Sequence, residues 1–284
     1  MTEYYRIGGI CISITGETLP PREPLLIFTC DAIESPDVRI SIAGEPFPAE
    51  SPPVFSERGA VWSKADGGSW LYSFNHDDTV VVSASIGSHW REVELYINPN
   101  KTYDAYFMKP ALETLFYNIC LKHGGLVLHA TAIEWMGAGI VFSAPSGTGK
   151  STHADMWVER LGATYINGDR PLLMIEDDET FAYGTAWSGS AGIYINTRAP
   201  LAALVFLEQY PVNMIHALNP SETLKYMLPR CFLPYHDRGL MGSAMDNIEA
   251  ITARTDCWRL RCLPDEGAME LVRKCVMTNR KFNA

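Results

Sequence analysis

Ala144-Pro145-Ser146-Gly147-Thr148-Gly149-Lys150-Ser151 decides the reading of this chain. The run has the form x-x-x-x-Gly-Lys-Ser, and the apolar segment Ile140-Val141-Phe142-Ser143 leads directly into it. A strand before such a loop and a helix after it are the context in which the pattern grips phosphate. Gly147 and Gly149 let the backbone curl with its N–H groups facing inward. The helix expected to start near Lys150 adds the positive end of its dipole. In that arrangement Lys150 reaches the β- and γ-phosphates of a nucleoside triphosphate, and the Ser151 hydroxyl ligates Mg²⁺. Ala144 stands where the usual first glycine sits, which a negative φ tolerates.

Working outward, the spacing of Leu112, Leu115, Phe116 and Ile119 predicts a helix from about Lys109 to His123. Residues 126–135 read as one strand, Met136-Gly137-Ala138-Gly139 as a tight turn, and 140–143 as the strand entering the loop. His129 lies on the first of these strands, where a single histidine by itself reads as a core residue. Downstream, Thr164-Tyr165-Ile166-Asn167-Gly168-Asp169 reads as a strand ending in an acid. Loop-type nucleotide enzymes deliver an aspartate in this way, so Asp169 is expected to hold Mg²⁺ or to accept a proton from a substrate hydroxyl. The glycine-rich 184–192 segment, leading into an expected strand at 193–196, either shapes a pocket or simply connects strands. Leu201–Glu208 reads as a buried strand, and Pro220 opens a helix with Ser221 near its cap. Arg170, Arg198 and Arg230 are the basic candidates for transition-state charge, unranked by spacing. Asp177-Asp178-Glu179 reads as a solvated turn.

The first hundred residues read as short strands, among them 10–14, 25–28, 38–42, 79–83 and 93–97, separated by clusters such as Leu19-Pro20-Pro21. The division expected is a β-rich region over 1–104 and a nucleotide-binding domain over 105–284. A net charge of −10 with scattered Lys and Arg argues against nucleic acid or an anionic membrane as partner. Neither a signal peptide nor a membrane-spanning run is evident, so a soluble, cytoplasmic protein is expected. Seven cysteines without a CxxC pair read as reduced thiols rather than zinc ligands.

Taken together, Leu128-His129, the hairpin, Ser146-Gly147-Thr148-Gly149-Lys150-Ser151 and Asn167-Gly168-Asp169 resemble the C-terminal domain of HPr kinase/phosphorylase. That domain shares its fold with ATP-dependent phosphoenolpyruvate carboxykinase. The run Ser-Gly-Thr-Gly-Lys-Ser-Thr-His and the Ile-Asn-Gly-Asp motif look like those of a short HPr-kinase-like subgroup, some of whose members accompany lasso-peptide and other modified-peptide genes. The resemblance spans roughly 120–275. It implies an α/β P-loop core of the carboxykinase/HPr-kinase type and a serine-type kinase using ATP and Mg²⁺. Asp169, His129 and Lys150 would then be catalytic. Ser146, Gly147, Thr148, Gly149, Lys150, Ser151 and Thr152 would hold the nucleotide, and Ser151 and Asp169 the metal. The acceptor implied is a serine-type hydroxyl on a peptide or protein. The alternatives are a small-molecule kinase, for instance of free serine, and a nucleotide-binding regulator without phosphotransfer. This chain departs from the family in having the single Asp169 after Gly168 where HPr kinase has paired aspartates. It also has Trp187-Ser188-Gly189 where an acid is expected. These departures leave the phosphorylase side of the family's chemistry open, and carboxykinase activity is not expected, because its full set of metal and substrate ligands has no clear match here.

Overall fold

The computed structural model describes residues 1–17, 23, 25–49, 51–57, 59–77, 79–100, 105–189 and 192–278, with 105–110 as backbone only. Leu19-Pro20-Pro21, Ser190 and Ala191 lie outside the described residues. The chain divides into two compact units, Met1–His123 with Pro234–Met241, and Gly124–Leu233 with Gly242–Ala284. Each has its own β-sheet, and the mixture of helices and large sheets is α/β.

In the first unit, eight strands form one sheet: β1 (Thr2–Ile7), β2 (Ile10–Thr15), β3 (Val38–Ala43), β4 (Pro53–Glu57), β5 (Ala60–Lys64), β6 (Trp70–His76), β7 (Thr79–Ile86) and β8 (Glu92–Ile97). Their order is β1-β2-β3-β8-β7-β6-β5-β4. Leu25–Phe28, expected as a strand, is a 3₁₀ turn that buries Leu25 and Phe28. A four-residue apolar run carries too little periodicity to separate the two conformations. Helix α1 (Ala105–Lys122) belongs to this unit, although the sequence placed the start of the second domain at 105. Trp62, Trp70, Tyr72 and Trp90 build an aromatic core, buried to 2% exposure or less. His236, from the late segment that completes the unit, stacks on Trp62 with ring centroids 3.8 Å apart. The Trp70 indole N–H donates to Asp237 at 2.8 Å. Stacking plus a satisfied indole explains why this distant segment folds with the first unit.

The second unit carries β9 (Gly125–Val127), β10 (Ala130–Trp135), β11 (Ala138–Ser143), β12 (Thr164–Asn167), β13 (Leu172–Glu176), β14 (Glu179–Tyr183), β15 (Arg198–Gln209), β16 (Met214–Ala217) and β17 (Asp256–Cys262). The path runs β12-β10-β11-β15-β14-β13-β9, with β17 paired to both β15 and β16. Strand β11 lies parallel to β15, which lies parallel to β17. The β10–β11 hairpin closes on Met136 and Gly137, with φ of 51° and 81°. Two positive φ values in a two-residue turn match the twist of the strands it joins.

Helix α2 (Lys150–Leu161) buries Ala154 and Trp157, which pack with Phe142 and Ile140 of β11. Helix α3 (Pro220–Met227) has Pro220 at its start and a capping box between Asn219 and Glu222, so Asn219, not Ser221, is the cap. Helix α4 (Arg238–Arg254) buries Ala244, Ile248 and Ile251, and α5 (Glu266–Thr278) adds Ala268, Met269, Val272 and Val276 to the core beneath α2. The 193–196 segment is no strand: only Tyr194 bridges, to Asn167. Among the described residues, no helix is long and apolar enough to cross a membrane.

Candidate functional site

The phosphate-type loop leaves the carboxyl end of β11 and enters α2. Gly147 and Gly149 adopt φ of 77° and 109°, a region closed to most side chains. Gly149 caps α2 with no side chain hydrogen-bonded to the first turn. A helix start without a side-chain cap leaves its N–H groups available to an anion. Ser146, Gly147, Ser151 and Thr152 are exposed at the loop surface, whereas Lys150 is buried to 8%. Its Nζ donates to the Ala144 carbonyl at 3.2 Å and lies 3.2 Å from His129 Nε2.

His129 arrives there because the expected strand over 126–135 is broken. Leu128 bridges Cys231, the His129 N–H donates to the Arg230 carbonyl at 2.8 Å, and the Phe232 N–H donates to Val127. This late-chain segment draws residues 127–129 out of line between β9 and β10. The same imidazole nitrogen lies 3.2 Å from Asp169 Oδ1. One nitrogen cannot serve both neighbours at once. Bare, Nε2 accepts from Lys150; protonated, it donates to Asp169. Phosphates at the loop would draw Lys150 toward themselves and free His129 to hold the carboxylate.

Asp169 follows β12 and is placed by Asn167. The Asn167 Oδ1 accepts from the N–H groups of Asp169 and Arg170, at 3.0 and 2.6 Å. Its Nδ2 donates to the Thr185 and Trp187 carbonyls, at 3.3 and 3.0 Å. Asn167 is fully buried, so this fan of bonds is sheltered from water. Arg170 Nε pairs with Asp169 Oδ2 at 3.2 Å, and its guanidinium lies over Phe232. The Gly184–Gly189 stretch wraps the acid. A Cβ on Gly189 would fall 2.9 Å from Asp169 Cγ, and one on Gly184 only 1.8 Å from the Ile195 carbonyl oxygen. Asn167 and Gly189 carried no role in the sequence reading. Their only signal there was adjacency to Asp169 and membership of a glycine-rich run.

Burial raises the Asp169 carboxyl, but the His129 contact and the Arg170 charge outweigh it and hold the group below its ordinary value. Burial lowers the Lys150 ammonium; Asp169 opposes that shift, and Arg230 adds to it. Arg230 lines a cleft of about 280 Å³ beside the loop, together with Phe206, Glu208, Gln209, Lys225 and Tyr226. Arg198, the third basic candidate, is instead engaged with Glu176 and Tyr183. The Asp177–Asp178 turn has φ of 45° and 69° and pairs Asp178 with Arg254.

Among the described residues, no group of three or more His, Cys, Asp or Glu side chains converges on a metal position. One carboxylate and one hydroxyl, Asp169 and Ser151, nevertheless suit Mg²⁺. That ion keeps several waters and takes one or two protein oxygens plus phosphates.

No family model matches the chain, and no curated protein matches it. Among solved structures it is similar to the Hpr(Ser) kinase/phosphatase from Coxiella burnetii. The two are 12% identical, the match covers 56% of this chain and 99% of that chain, and the TM-score is 0.32. A likeness at that level carries no weight on function.

Proposed function

We propose that this protein is an ATP-dependent phosphotransferase with a P-loop core of the carboxykinase/HPr-kinase type, passing the γ-phosphoryl group to a serine-type hydroxyl of a peptide or protein. The observation that carries the reading is His129, whose Nε2 sits 3.2 Å from both the loop lysine and the Asp169 carboxylate. The shared imidazole brings the loop lysine and an acid together, which places a charge for phosphate beside a proton acceptor, as transfer to a hydroxyl uses.

In this reading, the loop N–H groups and Lys150 hold the β- and γ-phosphates. Ser151 and Asp169 would hold Mg²⁺, which neutralises charge on the phosphate oxygens when bound. The acceptor oxygen forms a bond to the γ-phosphorus, the bond to the β–γ bridging oxygen breaks, and ADP carries that electron pair away. The hydroxyl proton passes to the Asp169 carboxylate. Because His129 and Arg170 stabilise the ionised form, Asp169 is a weak base. The proton therefore moves late, when the loose transition state has already made the hydroxyl acidic. Arg170 keeps the carboxylate aimed, and Arg230 adds positive charge near Lys150.

The binding half is tested by Lys150→Ala. A charge-assisted phosphate contact contributes roughly 1.5–3 kcal/mol, so affinity for Mg·ATP falls about ten- to a hundredfold by calorimetry. Equal affinities would remove the loop from the mechanism.

A further inference from the structure

We propose that the first unit carries a docking site for an acidic peptide segment, one with two or more Asp or Glu side chains, in the cavity lined by His89, Arg91, Lys122 and His123. The first unit supplies all of these residues. The cavity, of about 420 Å³, is framed by two elements. The turn between β7 and β8 gives His89 and Arg91, and the carboxyl end of α1 gives Lys122 and the following His123. Each side chain carries a positive charge or a ring nitrogen that can take one. His89, Arg91 and Lys122 are exposed, and His123 is half-buried. The turn is well anchored. The Gly87 N–H donates to the Glu92 carbonyl at 3.0 Å, and the Trp90 N–H donates to the Gly87 carbonyl at 2.9 Å. Trp90 has a φ of 60°, which a bulky side chain rarely adopts. Its burial to 2% exposure, with its ring 6.1 Å from that of Trp62, holds this conformation. The anchored tryptophan fixes the backbone on which its neighbours His89 and Arg91 stand.

The charge of this cluster is uncompensated. Among the described residues, neither Arg91 nor Lys122 has an ion-pair partner. The carboxylates beside them are committed elsewhere: Glu92 pairs with Arg39 at 3.0 Å, and Asp37 accepts from the Cys11 N–H at 2.8 Å. Burial lowers the His123 pKa; Asp37 opposes that shift, and Arg91 adds to it. At neutral pH the fixed charges are therefore Arg91 and Lys122, and His123 offers a neutral ring nitrogen. On a chain of net charge −10, such a cluster is a local field that steers an acidic ligand. Compact phosphate sites are built from backbone N–H groups and the amino ends of helices. Here α1 presents the opposite, negative end of its dipole, and the donors are long side chains. That arrangement suits carboxylates spread along a peptide, where alternate side chains of an extended segment share one face about 7 Å apart.

The test uses a fluorescein-labelled peptide of alternating Glu and Gly, followed by anisotropy, with a Gln–Gly peptide as the neutral control. No nucleotide is present, so the outcome is separate from that of phosphotransfer. Wild-type protein should bind the Glu peptide, more weakly as salt rises from about 50 to about 300 mM, and should bind the Gln peptide about tenfold more weakly or less well still. Arg91→Glu with Lys122→Glu should weaken the Glu peptide by about tenfold or more, because two attractions become repulsions. Both side chains are exposed, so this double variant should melt at the wild-type temperature. The same reversal at Arg160 and Lys274, exposed in the second unit, changes net charge equally and should leave affinity within about twofold. Equal binding of the Glu and Gln peptides, unchanged affinity in the folded double variant, or an equal loss from the control reversal overturns the site. Inorganic phosphate held by these residues while the Glu peptide is not also overturns it, in favour of a compact anion.

Discussion

Replacing Gly189 by alanine should disable Asp169 without touching it. The added methyl would sit 2.9 Å from Asp169 Cγ and 3.1 Å from both its Cβ and Oδ2. Carbon atoms rest at about 3.5–4.0 Å, so acid and segment must part by roughly 0.6 Å or more. Rotating the carboxylate alone gives no relief, because the Asp169 Cβ is equally close and its N–H is anchored on buried Asn167. Gly189 has no left-handed φ, so backbone strain adds nothing and the effect is steric. A displacement of that size stretches the 3.2 Å contacts to His129 and Arg170 beyond hydrogen-bond range. A misplacement near 1 Å at a reacting centre costs about 10²-fold in rate. ATP turnover, followed as ADP release with serine-containing peptides, should therefore fall by about 10- to 100-fold. Because the loop is untouched, affinity for tripolyphosphate in the absence of Mg²⁺ should hold. In an Asp169→Ala background, Gly189→Ala should add almost nothing, since the two changes act through one carboxylate. A folded Gly189→Ala protein with wild-type turnover would refute this account of how the acid is placed.

Asn167→Ala removes the buried acceptor of the Asp169 and Arg170 N–H groups and a donor to the Thr185 and Trp187 carbonyls, so thermal or urea unfolding should show a loss of about 2–4 kcal/mol. Phosphate gripping needs the protonated Lys150, whose pKa is lowered; Mg·ATP affinity should therefore begin to weaken with rising pH below the usual lysine value of 10.5, and a flat calorimetric profile to pH 10.5 would contradict that shift. His153 lies on α2 against Phe142, and burial pushes its pKa down to about 4. The unfolded chain binds the proton more readily, so stability is full above the ordinary value of 6.5 and falls as pH drops toward 4, with a limiting slope of about 1.4 kcal/mol per pH unit. His153→Leu should flatten that part of the stability curve.

Local chemistry made the loop legible. Two glycines, a lysine and a serine after an apolar strand predict a strand, a tight loop and a helix, and the structure has β11, the positive-φ Gly147 and Gly149, and α2 at those positions. Asp169 was legible for a similar reason, as an acid ending a strand. The bent path at His129 was not legible, because residues 127–129 leave their strand to pair with 230–232, and no local periodicity reports a partner so far along the chain. The same long range hid the insertion of His236 into the Trp62–Trp70–Trp90 cluster, which gives part of the late chain to the first unit. Among the three arginines, Glu176 and Tyr183 engage Arg198 across neighbouring strands, while Arg170 and Arg230 stay near the loop. Only strand order and the three-dimensional path could make that choice. At α3, Pro220 and Ser221 mark the helix start, but the cap lies at Asn219, where the side chain accepts from the Glu222 N–H and the Glu222 carboxylate accepts from the Asn219 N–H.

Transfer of label from γ-labelled ATP to serine-containing peptides and to free serine, by wild-type and Asp169→Asn proteins under single-turnover conditions, tests the central claim most directly. The account predicts that wild-type protein labels a hydroxyl acceptor. It also predicts that Asp169→Asn, which loses a base and a charged metal oxygen, binds Mg·ATP more weakly and, even at saturating Mg·ATP, transfers about 10²–10⁴-fold more slowly, the usual contribution of a positioned base. Wild-type protein that binds Mg·ATP yet labels no hydroxyl, or an Asp169→Asn variant that transfers at the wild-type rate, would contradict it.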